Sequence, residues 1–262
     1  MPSIRLTPAR LAGATFLAAA LLGLALLGRT GLWAQQQQRL PSLRIPPNLL
    51  LQLRSQGNRF ELAGHERASA SGQVVDAQRS TQSVQLTRDI SGRFRLQAGT
   101  RVMFFGGSQS GSSGVGGQSD DSGLAESLAD DSVEQFFVAV HRGDAVRLLG
   151  RRYRTDDGSA AAYAGPWHDI YELYWRGRDG QADSTQLKQF YFDSQTGYLA
   201  RVRYPSSAGS VETRLSNWRQ VNGQALAGRI ERIVAGVTRW TFTADTLTLG
   251  ADRNDSLFSG NP

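Results

Sequence analysis

From Leu187 to Leu249 the chain alternates apolar and polar positions in segments of strand length: LKQFYF, YLARVRY, SVETRLSNW, QALAGRIERIV and TRWTFTADTLTL. Turn signals separate them, at Asp193–Gly197, Pro205–Gly209, Val221–Gly223 and Ala235–Gly236. Consecutive strands joined by such short connections predict an antiparallel meander. Each segment mixes aliphatic and aromatic residues with charged ones, so each strand has one dry face and one wet face. A sheet built this way must be covered on its dry side. What covers it is the route to function.

Upstream, the pattern continues with more interruptions. Residues 67–75 and 81–97 alternate: Val84, Leu86 and Arg88 share one parity, Phe94 and Leu96 share a face across Arg95, and Ser91-Gly92 marks a turn. Arg101–Phe105 predicts a short apolar strand. Residues 106–123, GGSQSGSSGVGGQSDDSG, are low in complexity and predict a disordered excursion. Its Gly114-Val115-Gly116 lacks the third glycine and the βαβ setting of a dinucleotide fingerprint. Leu124, Leu128, Phe136, Phe137 and Val140 then recur at helical spacing, which predicts a helix over 124–141. Asp131 is the expected N-cap for its second part, with Glu134 closing a capping box, and Arg142-Gly143 the expected end. Residues 144–154 and 167–176 predict two further strands.

The N-terminus points to export. Arg5 and Arg10 precede an uncharged apolar run, Leu11–Leu27, in the layout of a signal peptide. The run is also near the lower limit for a membrane-spanning helix. Residues 1–34 are therefore expected to be a signal peptide cut near Ala34, or an uncleaved inner-membrane anchor formed by 11–27. Gln35–Pro47 is Gln- and Pro-rich and predicts a spacer. Asn48–Phe60 predicts a helix that opens a single β domain over 48–262.

Composition narrows the partners. The formal charge is +6, but Arg5, Arg10 and Arg29 belong to the export segment. Among 29 basic residues the only lysine is Lys188. The arginines are spread along strands beside acids rather than clustered, which argues against nucleic acid. The chain has no Cys, so no disulfide and no lipidated N-terminal Cys.

Candidate chemistry is sparse. The 3 histidines, His65, His141 and His168, form no zinc motif, and no metal site or cofactor is expected. His168, Asp169 and Glu172 are the one local polar cluster, and strand alternation sends neighbours to opposite faces. Asp130-Asp131 and the other acidic pairs fall where capping or solvation accounts for them. No nucleophile elbow occurs. A non-enzymatic protein is expected, with a hydrolase built from dispersed residues as the weakest alternative.

Four stretches carry a family resemblance. Thr87–Arg95 resembles an early strand in which a basic residue precedes a turn and a GRFR-like exit. Leu187–Phe190 with the Asp193–Gly197 turn resembles a later hairpin. Trp218–Leu226 resembles a hairpin of the form y-r-x-v-d-G-x-x-l. Trp240–Leu249 followed by Asp255–Phe258 resembles an F-x-F end. In this order they resemble the LolA/LolB-type periplasmic lipoprotein carriers and their lipid-binding relatives, across most of residues 60–258. The resemblance implies an α+β fold, mostly antiparallel β: a half-open barrel or curved sheet with a helical lid. It implies an acyl chain or lipoprotein lipid held between sheet and lid. An arginine of the early strand would latch the lid, Arg88 as first match and Arg93 as second.

The expected function is thus an exported carrier or sensor for an acyl chain, in a cavity lined by Phe94, Leu96, Phe104, Phe136, Phe137, Phe190, Phe192, Trp218 and Trp240. The alternative is an anchored envelope module that binds another protein and whose interior is filled.

Overall fold

The computed structural model of the protein describes residues 67–106, 110–113, 121–153, 167–178, 180, 186–250 and 255–258. The expected export segment, the spacer and the helix over 48–60 lie outside the described residues.

The described strands form one sheet in which every neighbouring pair is antiparallel. They are β1 (Arg67–Asp76), β2 (Thr81–Asp89), β3 (Phe94–Ala98), β4 (Arg101–Phe105), β5 (Ser110–Ser113), β6 (Val146–Tyr153), β7 (Trp167–Trp175), β8 (Gln186–Asp193), β9 (Leu199–Ser206), β10 (Gly209–Val221), β11 (Gln224–Val234) and β12 (Val237–Gly250). Their spatial order is β5-β4-β3-β2-β1-β12-β11-β10-β9-β8-β7-β6. Two meanders, β1–β5 and β6–β12, are therefore welded by the pairing of β1 with β12. That junction carries a bulge at Ser71/Gly72. A side chain at Gly72 would sit 2.1 Å from the Thr243 carbonyl oxygen, so the strands approach closely only because position 72 has none.

The hairpin signals behave as the alternation predicts. Asn222 and Gly223 both have positive φ (49° and 79°), as do Ala235 and Gly236 (50° and 81°), the requirement of the two-residue turns that match strand twist. Within the Gly/Ser-rich stretch, Ser110–Ser113 pairs with Val102–Phe105 as an edge strand instead of forming part of a continuous loop. Residues 107–109 and 114–120 lie outside the described residues.

Between the meanders, residues 121–141 are helical in pieces: α1 (Asp121–Ala125), a π-helical turn over Glu126–Asp130, a break, and α2 (Val133–His141). The expected N-cap is displaced by one residue, and the side chain three residues on, Gln135, donates to the Gly92 carbonyl instead of closing a capping box. Ser132 is the N-cap of α2, and its Oγ accepts the Gln135 backbone N–H at 3.3 Å. At the other end, Arg142 Nη2 and Arg176 Nε donate to Asp144 (2.7 and 2.8 Å), which ties the exit of α2 to the end of β7.

The helical segment lies on one face of the sheet and completes the core. Phe94, Leu96, Leu173, Phe190, Phe192, Val202 and Phe242 point into it from the strands, and Leu124, Leu128, Phe136 and Phe137 from the segment. Each such side chain contributes about 1.5–3 kcal/mol by burial. The opposite face carries Arg147–Glu172, Arg201–Glu212, Arg214–Glu212 and Arg229–Glu231 pairs, with Glu172, Arg201 and Glu212 themselves buried. Some of the dispersed arginines of the sequence are thus paired on this face, Arg147 and Arg201 across strands and Arg214 and Arg229 along one strand.

Candidate functional site

The interface between the helical segment and the sheet has two halves. One is aromatic. Phe136 is fully buried, with its ring centroid 4.9 Å from that of Phe190, 5.3 Å from Phe192, 5.9 Å from Tyr171 and 5.4 Å from Phe137. These spacings are those of favourable edge-to-face and tilted ring pairs.

The other half is charged. Lys188 Nζ donates to Asp131 Oδ1 at 2.7 Å and lies 4.1 Å above the Trp175 ring and 4.6 Å from the Tyr204 ring centroid. Thr213 Oγ1 donates to Asp131 Oδ2 at 2.6 Å and lies 2.8 Å from Ser127 Oγ. Arg232 donates to Ser127 Oγ (2.9 Å), Tyr204 Oη (3.2 Å) and Glu126 Oε2 (3.0 Å). Arg178 makes a two-pronged pair with Asp130 (2.6 and 2.8 Å) and lies over the Phe94 ring. Arg88 donates to the Leu128 carbonyl at 3.3 Å and pairs with Glu134 at 3.3 Å. Asp131 and Lys188 are wholly buried.

Burial raises the Asp130 carboxyl to about 6, against the pull of Arg178 and Lys188. Burial likewise raises Asp131, against Lys188. Burial, with the Asp131 and Glu126 carboxylates, pushes the Tyr204 hydroxyl well up. Desolvation thus outweighs pairing here, as it does for many buried ion pairs.

Several expected positions fall differently. Phe94, Leu96, Phe136, Phe137, Phe190, Phe192 and Trp240 are buried in or beside this interface. Phe104 is not among them. It opposes Arg95 across β3 and β4, whereas Phe105 opposes Phe94 and is the inward residue. The error is one of parity, which a five-residue strand of mostly apolar residues does not reveal. Trp218 is half-buried and stacked on Tyr198 at 4.9 Å. Arg93 donates to Asp89 Oδ2 at 2.6 Å and lies over the Phe258 ring, joining the β2–β3 hairpin to the C-terminal turn 255–258. Asp130 and Asp131, expected to be solvated or capping, are instead buried partners of Arg178 and Lys188. His168 is buried, Glu172 is held by Arg147 and Gln189, and Asp169 lies on the opposite parity, so the three make no joint site. No group of residues suited to a metal ion occurs among the described residues.

Where a hollow is expected between the segment and the sheet, Phe136 is in direct contact with Tyr171, Phe190 and Phe192. A slot of about 20 Å³ is bordered by Arg88, Leu86, Ala227, Ile230, Phe242 and Leu247. It has room for about one water molecule. An open depression of about 240 Å³, bordered by Leu187, Gln189, Arg203, Tyr204, Pro205 and Ser210, lies over β8–β10.

The signal for the charged half was present in the chain. Lys188 shares parity with Phe190 and Phe192, Arg232 with Ile230 and Val234, and Arg88 with Val84 and Leu86. A cation at an inward position of a dry strand face demands a buried acid.

The chain matches no protein-family model, and no curated protein matches it. Its fold is similar to that of a domain described as an outer membrane lipoprotein-sorting protein from Vibrio parahaemolyticus, with 12% identity and a TM-score of 0.49 over 79% of this chain and 94% of that one. It is also similar to a DUF1329 family protein from Desulfovibrio piger, with 12% identity and a TM-score of 0.49 over 81% and 95%. A LolA superfamily protein from Nitrosomonas europaea gives 14% identity and a TM-score of 0.43 over 80% and 97%. At these values the likeness concerns architecture and says nothing about ligand or activity.

Proposed function

We propose that this protein is an exported, non-enzymatic carrier or sensor that takes up an acyl chain by displacement of the helical segment 121–141 from the sheet. The observation that carries the reading is the divided character of the interface. An all-apolar plug would lose its whole burial energy on leaving. Here the four ion pairs Glu126–Arg232, Asp130–Arg178, Asp131–Lys188 and Glu134–Arg88 regain hydration on separation, which offsets part of the apolar loss. The segment is thus held in place firmly enough to close the face and loosely enough to leave it. The sheet face beneath offers Phe94, Phe190, Phe192 and Phe242 as a dry bed, worth about 0.8 kcal/mol per methylene laid on it. Arg88 acts as one latch among four rather than as the sole one.

The test uses the full chain, kept soluble in an amphipol. It should bind a fluorescent acyl chain, release it to excess unlabelled chain, and carry lipid in native mass spectra when isolated from its envelope. Absence of both lipid and uptake overturns the reading.

The close packing of Phe136 on Tyr171, Phe190 and Phe192 favours a second reading, an envelope module that docks a protein partner on a rigid sheet. Stoichiometric co-purification of one envelope protein, with no acyl uptake, supports it.

A further inference from the structure

The chemistry of the ligand's head follows from where the charges sit. Building on the proposed displacement of the segment, we infer that the ligand is an anionic amphiphile, a long hydrocarbon chain ending in a carboxylate or phosphate.

The inward side of the sheet is cationic beneath its apolar surface. Arg88, Arg178, Lys188 and Arg232 all face the segment, and the carboxylate that pairs with each belongs to the segment: Glu134, Asp130, Asp131 and Glu126. Removing the segment removes every one of these acids at once. Separation hydrates these cations, and an acyl chain laid over them strips that water again, so cations covered without a counter-charge are costly. Lys188 is the extreme case, fully buried and enclosed by Trp175 and Tyr204. A neutral ligand would leave that cost standing, and a ligand with an anionic head would cancel it.

Unpartnered donors flank the same cations, while the unpartnered acceptors Glu134 Oε2 and Gln135 Oε1 belong to the segment and leave with it. Arg232 Nε, Trp175 Nε1 and Trp240 Nε1 are buried without a hydrogen-bond partner among the described residues. Trp240 is the cross-strand neighbour of Arg232, and Trp175 lies against Lys188. An ionised carboxylate or phosphate accepts hydrogen bonds and donates none or few, which is the complement of this surplus. Asp131 stands in the closed protein where such a head would stand in the open one: it accepts from Lys188 and Thr213 together.

The experiment displaces the neutral dye Nile red from the full chain with four competitors: hexadecanoate, hexadecyl phosphate, hexadecanol and inorganic phosphate. The two anionic amphiphiles should bind about tenfold or more tighter than hexadecanol, the scale of one charge-assisted contact, and inorganic phosphate should displace nothing. A preference for one of the two anionic heads identifies its source, fatty acid or phospholipid. Equal binding by hexadecanol overturns the anionic inference and leaves acyl binding intact. No displacement by any long-chain compound overturns acyl binding itself. Displacement by inorganic phosphate alone overturns the amphiphile. Because Lys188→Met alone strands the Asp131 carboxylate, the informative variant is Lys188→Met with Asp131→Asn. It should retain hexadecanol binding and lose the preference for hexadecanoate, and a folded double variant that keeps the preference overturns the placement of the head at Lys188.

Discussion

Lys188, the chain's single lysine, lies wholly buried with its Nζ 2.7 Å from Asp131 Oδ1. The pair joins the middle of the helical segment to β8. Its partners on the two sides are Thr213, Trp175 and Tyr204, so neither charge has water to fall back on.

Lys188→Met and Asp131→Asn should therefore each destabilise the fold by about 3–5 kcal/mol, because each strands a buried charge. The double replacement removes both charges and should recover most of that loss. Urea unfolding of the four proteins, followed by tryptophan fluorescence, gives the coupling directly. Additive single effects would show that the two groups do not depend on each other.

Acid should strengthen the closed form over a defined window. Burial lifts the Asp130 carboxyl from 3.8 to about 6 in the folded chain, with Arg178, Lys188 and Asp131 as its charged neighbours. Between those values the folded protein holds a proton that the unfolded chain has released. Stability from this group consequently falls as pH rises from about 4 to about 6 and returns on acidification, by up to about 3 kcal/mol. Asp131 shifts in the same direction for the same reason. Asp144 behaves oppositely: although burial opposes it, hydrogen bonds from Arg142 and Arg176 hold its carboxyl below the usual range, so its contribution is lost only in stronger acid. Asp130→Asn should flatten the profile between about pH 4 and 6 relative to the parent. Parallel profiles would remove Asp130 as the source.

The meander over residues 187–249 was legible because period-2 alternation and paired turn residues act locally. The β1–β12 weld was not, since it joins residues such as Val74 and Phe242 that are far apart in sequence. The helical segment was legible as a hydrophobic face, but its cap slipped from Asp131 to Ser132. The local rule that places an acid at a helix start lost to a lysine on another strand, Lys188, that needed the same acid. For Phe104, five residues of a nearly all-apolar strand held no information about which parity faces in.

Gly92 links the β2–β3 turn to α2. It has φ +83°, and Gln135 Nε2 donates to its carbonyl oxygen at 2.7 Å. A Cβ there would lie 2.6 Å from that same nitrogen. Gly92→Ala should cost about 1–3 kcal/mol, from strain and from the loss of this tie. Adding Gln135→Ala relieves the collision but not the backbone strain, so recovery should be partial. Full recovery would mean that the strain is absent.

Displacement of the helical segment can be blocked with all of its charged residues left in place. Ser127 Oγ and Thr213 Oγ1 lie 2.8 Å apart, one on the segment and the other on β10, and both residues are buried. Replacement of both by cysteine, Ser127→Cys with Thr213→Cys, brings two sulfurs within reach of a disulfide. The chain has no other cysteine, so any bond formed is the intended one. Oxidation should stabilise the closed form by about 2–4 kcal/mol. It should also abolish acyl uptake, and reduction should restore it. Each single variant should bind equally with and without the same oxidant, which separates a locked segment from damage by the oxidant. If the oxidised double variant binds the acyl chain as well as the reduced one, the ligand enters elsewhere and the segment is a fixed part of the core.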